Sequence, residues 1–316
     1  MNDSNVTVFA RPRRWLWSRG PSPRRRDDDR SRCAPEGARR RRRLRASMDV
    51  VAVRSRVMAL HEQAYIRREL EFPGPLGNGA SGVGARRVQE WLGFHGNGTP
   101  IDGKFGPATN RAIEAFAARK HLSYAGTLNQ EVWAALTEPM ARVVGLPAKA
   151  PNKSYPQLVR WFAEQHLAEH PVELGGANRG PWVRMYMKGS EGEAMLWCAG
   201  FVSFVMQQAA EKAGRAAPIA GSFGCDELAR QAKAAGRFVA GKNVAHNGGF
   251  GALGACGIFL VRKTSSDWIH TGFAFDGGEE SFLSIEGNTD HKGSANGFEV
   301  ARRTRRTASN DFIRLA

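Results

Sequence analysis

Four residues of this 316-residue chain have the types that nucleophilic catalysis needs, in an order that can serve it: Cys198, His270, Glu286 and Asn288. Cys198 stands in Trp197-Cys-Ala-Gly-Phe-Val-Ser-Phe-Val-Met206, where Phe201, Val202, Phe204, Val205 and Met206 read as a helix buried nearly all round. A thiol on the first turn of such a helix feels the partial positive charge of free backbone N–H groups, which favours thiolate over thiol. Taken alone, Cys198 reads more readily as a small packing side chain. A nucleophile also needs a base within hydrogen-bond reach and a third group to orient that base. Of the eight histidines, only His270 opens a stretch with strand alternation, Trp268-Ile-His-Thr-Gly-Phe-Ala-Phe275, which sets it on one face with Gly272 and Ala274. Glu286 and Asn288 follow in the next such stretch, two residues apart and therefore on one face if the strand persists. Glu286 is placed to hold the imidazole in the right tautomer; Asn288 can do so instead or act as a donor. Singly, the first also reads as a surface acid and the second as a turn residue. Cys225 and Cys256 read as packing thiols.

The elements that must position these groups are helices first and strands after. An opening helix is marked by Leu158, Trp161, Phe162 and Leu167, and Glu173 to Tyr186 leads as a loop into the cysteine helix. Ala217 to Ala240 reads as helix and loop. Short alternating runs then cover 258–261, 271–275, 282–285, 298–301 and 312–315. Strands without helices between them predict an α+β domain with an antiparallel sheet over residues 155–316.

Ahead of that domain, 79–137 carries three helical stripes: Ala85, Val88 and Leu92; Thr109, Ala112, Ile113 and Phe116; Leu128, Val132 and Leu136. Ile101-Asp-Gly-Lys-Phe-Gly-Pro-Ala-Thr109 separates the first two, with glycines suited to a tight turn and Thr109 expected to cap the second helix. Phe105, Phe116 and Trp133 are expected in the core. A helical lead is expected over 48–78, and prolines at 139, 147 and 151 mark 138–154 as a semi-flexible tether.

Two resemblances rest on these residues. Val88-Gln89 with Leu92, Asp102-Gly-Lys-Phe-Gly106 followed by Thr109, Ala112 and Phe116, and Gly126-Thr-Leu with Trp133 and Leu136 resemble the peptidoglycan-binding type 1 domain. This implies a small all-α module that anchors to cell walls; Ala117 departs from the glutamine common there. Gly175-Gly-Ala-Asn-Arg-Gly-Pro-Trp-Val183, Trp197-Cys-Ala-Gly-Phe-Val-Ser203, His270-Thr-Gly and Ile285-Glu-Gly-Asn-Thr289, with Asn296-Gly297 and Arg302-Arg303, resemble the CHAP family of papain-like, NlpC-related cysteine, histidine-dependent amidohydrolases and peptidases. That resemblance implies a papain-like fold and catalytic roles for Cys198, His270, Glu286 and Asn288, with no metal or cofactor. Gly254-Ala-Cys256-Gly257 stands where the family usually has Pro-Gly-Asp. Together they imply a peptidoglycan hydrolase, either an N-acetylmuramoyl-L-alanine amidase or a peptide endopeptidase, of the endolysin or bacterial cell-wall hydrolase kind. The rival reading is a wall-binding protein with an inactive hydrolase fold.

Charge separates a further rival. The chain carries +16, but residues 1–47 hold 15 Arg against 5 Asp and Glu, which leaves only +6 for residues 48–316. This Arg-rich tail is expected to be disordered. It reads as an anion-binding arm, a solvated charge run, or, favoured here, an extension that is not used, with translation starting at Met48. Nucleic acid is therefore the weakest partner and peptidoglycan the strongest. No stretch has signal-peptide or membrane-span character, so synthesis in the cytoplasm and action at the bacterial cell wall are expected.

Overall fold

Apolar spacing decides the first half of the molecule. The computed structural model describes residues 59–245 and 249–316, so the Arg-rich tail, the start of the lead and His246 lie outside the described residues. All that follows belongs to one compact unit, Asp49–Ala316. The lead is not one helix: a 3-10 turn at Leu60–Glu62 is separated from α1 (Ala64–Leu70) by the extended Gln63. Helices α2 (Val83–Phe94), α3 (Pro107–Arg119) and α4 (Gln130–Val144) then bury the expected stripes, with Phe105, Phe116 and Trp133 in the core. Thr109 does not cap α3. The helix begins at Pro107 after Gly106, and Thr109 is a buried residue of its first turn that accepts a hydrogen bond from Gln89 at 3.2 Å. The Gln89 amide also donates to the Asp102 carboxylate at 2.9 Å and the Lys104 carbonyl at 3.0 Å, and its oxygen accepts the Gly103 N–H at 2.8 Å. One buried amide thus pins the whole turn, in which Gly103 takes a φ of +71° that a side chain would resist.

The expected tether at 138–154 is corrected. Helix α4 runs through Pro139 to Val144, because Leu136, Met140, Val143 and Val144 extend its apolar stripe and their burial outweighs one missing N–H bond. A short helix, α5 (Leu146–Lys149), takes Pro147 into its first turn, and Ala150 is buried behind it. The chain then enters α6 (Tyr155–Glu169), where the Gln157 side chain accepts the Ser154 N–H at 3.1 Å.

Three more helices follow before the sheet. Pro181–Tyr186, expected as loop, is helix α7; α8 (Cys198–Ala213) is the cysteine helix and α9 is Cys225–Ala234. His166 of α6 is fully buried between the Tyr186 hydroxyl and the Gln208 side-chain oxygen, each at 2.7 Å, and burial lowers its pKa to about 4. It is a neutral strut.

Six strands form one antiparallel sheet in the order β1-β6-β2-β3-β4-β5: β1 (Phe238–Val239), β2 (Gly257–Arg262), β3 (Trp268–Phe275), β4 (Ser281–Thr289), β5 (Glu299–Arg306) and β6 (Asn310–Arg314). Ile258, Phe273, Phe275, Ile285 and Ile313 face the helices and join the main core. The opposite face carries a smaller apolar cluster of Phe259, Ala274, Phe282 and Phe312 under Val244, Phe250 and Leu253. The expected antiparallel α+β arrangement is therefore present. Among the described residues no helix is long and apolar enough to cross a membrane.

The helical module and the sheet domain share one core. Trp91 of α2 meets Trp182 of α7 edge to face at 6.0 Å. Beside them Arg184, almost wholly buried, reaches Glu69 of α1 at 2.8 Å, Glu90 of α2 at 2.6 Å and Glu191 at 2.8 Å. Arg86 and Arg87 close the cluster onto Glu90, Glu191 and Glu69. The Gln208 amide of α8 adds a bond to the Val143 carbonyl at 2.8 Å.

Candidate active site

Cys198 is the first residue of α8, where backbone N–H groups have no intrahelical partner. Its position is set from both sides. Trp197 stacks on Tyr186, ring centroids 5.5 Å apart, and its indole N–H donates to Glu173 at 2.8 Å. Gly200, two residues on, lies so close to Met187 and the Tyr186 carbonyl that a Cβ would meet them at 2.6 and 2.8 Å. The sulfur is buried, and the Cys225 sulfur at the start of α9 is 3.9 Å away. The Cys225 thiol as donor is the largest influence that pulls the Cys198 pKa well below its usual 9.0; burial opposes this, and His270 and the Ala199 N–H reinforce it. Cys225 moves the other way, since a neighbouring thiolate favours its protonated form.

His270 is fully buried on β3. Its Nε2 is 2.9 Å from the Glu286 carboxylate, while its Nδ1 is buried with no hydrogen-bond partner and is the ring nitrogen left free to take a proton. Donation from Nε2 to Glu286 fixes the tautomer whose Nδ1 lone pair can accept the thiol proton. Burial works against the imidazolium, but the Cys198 sulfur and then Glu286 outweigh it and lift His270 from 6.5 to about 9. Glu286 is buried too. Burial raises its pKa, yet Arg305 and His270 hold it down to about 2. Cys198, His270 and Glu286 therefore favour their charged forms, thiolate, imidazolium and carboxylate, in one buried row.

Two irregularities in the sheet place these groups. Arg262 pairs with Trp268 and Val261 with His270, so Ile269 is an extra residue that bulges out, 43 % exposed, beside the histidine. On β4, Glu286 pairs with Ala301 and Thr289 with Glu299, so Gly287 and Asn288 together oppose Val300. Between the bulges Gly272 leaves space for the carboxylate: a Cβ there would meet Glu286 Cγ at 2.9 Å and the Ile285 carbonyl at 2.8 Å.

The second bulge corrects the expectation for Asn288. Alternation would put it on the face of Glu286, but Asn288 adopts a left-handed φ of +56° and leaves that face. Its amide donates to Asn178 Oδ1 and to the Gly297 carbonyl, each at 2.9 Å, with longer approaches to Glu173 and Asn296. Glu173 in turn holds Trp197 and accepts the Asn178 N–H at 2.8 Å. Asn288 therefore belongs to a polar network under the start of α8 and makes no hydrogen bond to His270 or Glu286.

Three contributors were not singled out by type and spacing. Arg305 forks onto both oxygens of Glu286, one contact at 2.6 Å, from β5, a strand whose four arginines cannot be told apart without the register. Ser284, two residues before Glu286, donates to the same carboxylate. Cys225, expected only to pack, contacts the Cys198 sulfur; Cys256 is buried with its pKa pushed up by burial, as a packing thiol should be.

Such a row can deliver a sulfur nucleophile, shuttle one proton and hold the imidazolium by charge. No curated protein and no solved structure matches the chain. Residues 81–136, however, match the family model of a putative peptidoglycan binding domain, so that the helical module packed against the site's domain is a peptidoglycan-binding type 1 domain.

Proposed function

We propose that this protein is a peptidoglycan hydrolase that cleaves an amide bond with Cys198 as nucleophile, its 155–316 domain being of the papain-like CHAP kind. The observation that carries the reading is the buried row from Cys198 through His270 to Glu286, in a chain whose helical module belongs to a wall-binding family. Cell-wall association follows from that module; the cutting activity is the inference.

In this reading the Cys198 thiolate attacks the amide carbon, and the carbonyl oxygen turns toward free N–H groups at the start of α8, including that of Cys198 itself. The His270 imidazolium gives its Nδ1 proton to the leaving amine. With that proton gone, the neutral imidazole draws one from water, which attacks the thioester and frees the enzyme. Glu286 stays ionised throughout, fixed by Arg305 and Ser284, and stabilises the imidazolium by charge.

The test uses purified peptidoglycan. Wild-type protein is expected to release muropeptides, and Cys198→Ala to abolish release while still sedimenting with the wall. Undiminished release by Cys198→Ala would remove the hydrolase reading. Mass spectrometry of the released fragments separates amidase from endopeptidase.

A further inference from the structure

Cys198 and Cys225 each begin a helix, and their sulfurs lie 3.9 Å apart although 27 residues separate them in the chain. Both are buried and neither is bonded to another sulfur. We propose that these two thiols form a reversible disulfide that closes the candidate active site under peroxide, an inference that rests on the reading of Cys198 as the nucleophile.

A disulfide brings sulfurs to about 2.05 Å, so the pair must close by about 2 Å. Ser222 is tied to the Ser203 hydroxyl of α8 by two bonds of 2.8 Å and Gly221 to Gln231 of α9 by two of 3.0 Å, so the closure falls to the exposed Phe223 and Gly224 and to rotation of the Cys225 side chain at the helix start. Helix α8, by contrast, is locked in the core by Phe201, Val202 and Val205. The chemistry balances with a hydroperoxide as oxidant. The Cys198 thiolate attacks one peroxide oxygen, the O–O bond breaks, and a sulfenic acid forms with loss of hydroxide, or of alkoxide from an organic peroxide. The Cys225 sulfur then attacks the sulfenic sulfur, its proton leaves with the hydroxyl as water, and the S–S bond forms. A dithiol reductant reverses the step by exchange. Cys256 does not compete, since it is fully buried and its thiol turns to the Gly257 carbonyl.

A second thiol within reach changes the fate of an oxidised nucleophile. With Cys225 present, the sulfenic acid is trapped as a disulfide that can be reduced. Without it, further peroxide carries the sulfur to sulfinic acid, which dithiols do not reverse.

The full chain is treated with hydrogen peroxide, alkylated, digested and mapped by mass spectrometry. The expected product is a cross-linked peptide pair containing Cys198 and Cys225, two hydrogens lighter than the free pair, and gone after dithiothreitol. Iodoacetamide labelling of Cys198 should fall at least about tenfold and return with the reductant. In Cys225→Ser the loss of Cys198 labelling should no longer be reversible. Cys198 carrying two added oxygens in the wild type while Cys225 still alkylates overturns the proposal, and so does a wild type in which both thiols stay alkylatable. These readouts follow the sulfurs and not wall hydrolysis, so they stand apart from the outcome of the Cys198→Ala experiment.

Discussion

His270 and Glu286 titrate far from their usual values, and the signs set a pH window. Folding lifts His270 from 6.5 to about 9, so the stability associated with its charge is complete below pH 6.5 and is lost as pH rises through about 9. Folding lowers Glu286 from 4.5 to about 2, so its contribution is present above pH 4.5 and lost as pH falls through about 2. Muropeptide release should therefore decline with a one-proton dependence near pH 9, and a pH-rate profile measures it; a limb near pH 6.5 would mean that the imidazolium is not held by its neighbours. Glu286→Gln keeps the shape and removes the charge that fixes the tautomer. It is expected to lower kcat by about 10²- to 10⁴-fold and to move the alkaline limb toward lower pH, while wall binding is unchanged. Equal loss of wall binding would point to misfolding instead.

At the scale of elements, two strands carry His270 and Glu286, and both depart from regular pairing where they do so. The bulge at Ile269 ends regular pairing next to His270, and the bulge at Gly287-Asn288 lets β4 approach α8, where a Cβ on Gly287 would meet Trp197 and Phe201 at 2.8 Å. Gly272 leaves no room for a side chain against β4, since a Cβ would meet the Ile285 carbonyl at 2.8 Å and Glu286 Cγ at 2.9 Å. Gly272→Ala should push the Glu286 side chain away from His270, cost about 1–3 kcal/mol of stability from overpacking, and lower kcat with little change in KM. Urea denaturation and steady-state kinetics read the two effects; a variant with wild-type stability and rate would show that the carboxylate does not need that space.

At the scale of the molecule, the wall-binding module is no pendant on a flexible arm. Helix α4 and the short α5 carry the chain directly into α6, and Arg184 ties three carboxylates from both parts. Removing one partner from such a buried set leaves uncompensated charges, so Arg184→Met should cost about 3–5 kcal/mol. Urea denaturation should show a lower midpoint, and hydrogen exchange should show lost protection in α1, α2 and α7 together. Loss confined to α7 would mean that the two parts fold independently. With a rigid connection, the distance between bound wall and Cys198 is a property of the fold rather than of linker length.

How much of this was legible beforehand depended on how local each cause was. Apolar periodicity fixes helices and strands over a few residues, so the three helical stripes, the cysteine helix and the five later strands could be read with shifted ends. Residue type and order singled out Cys198, His270 and Glu286 as candidates, because nucleophile, base and orienter each need a particular functional group, and the structure brings His270 and Glu286 into contact. Pairing across the sheet is not local. The bulge that turns Asn288 away, the register that brings Arg305 onto Glu286 and the meeting of two helix starts at Cys198 and Cys225 depend on residues 19 to 27 positions apart or on a one-residue slip. Prolines at 139 and 147 signal a break by themselves, yet the core overrode them, since the apolar side chains around them gain more by burial than one backbone bond costs. The sequence alone thus determined which groups this protein holds and in what order. Only the tertiary structure decided which of them touch, because contact follows from register and packing, which no single segment contains.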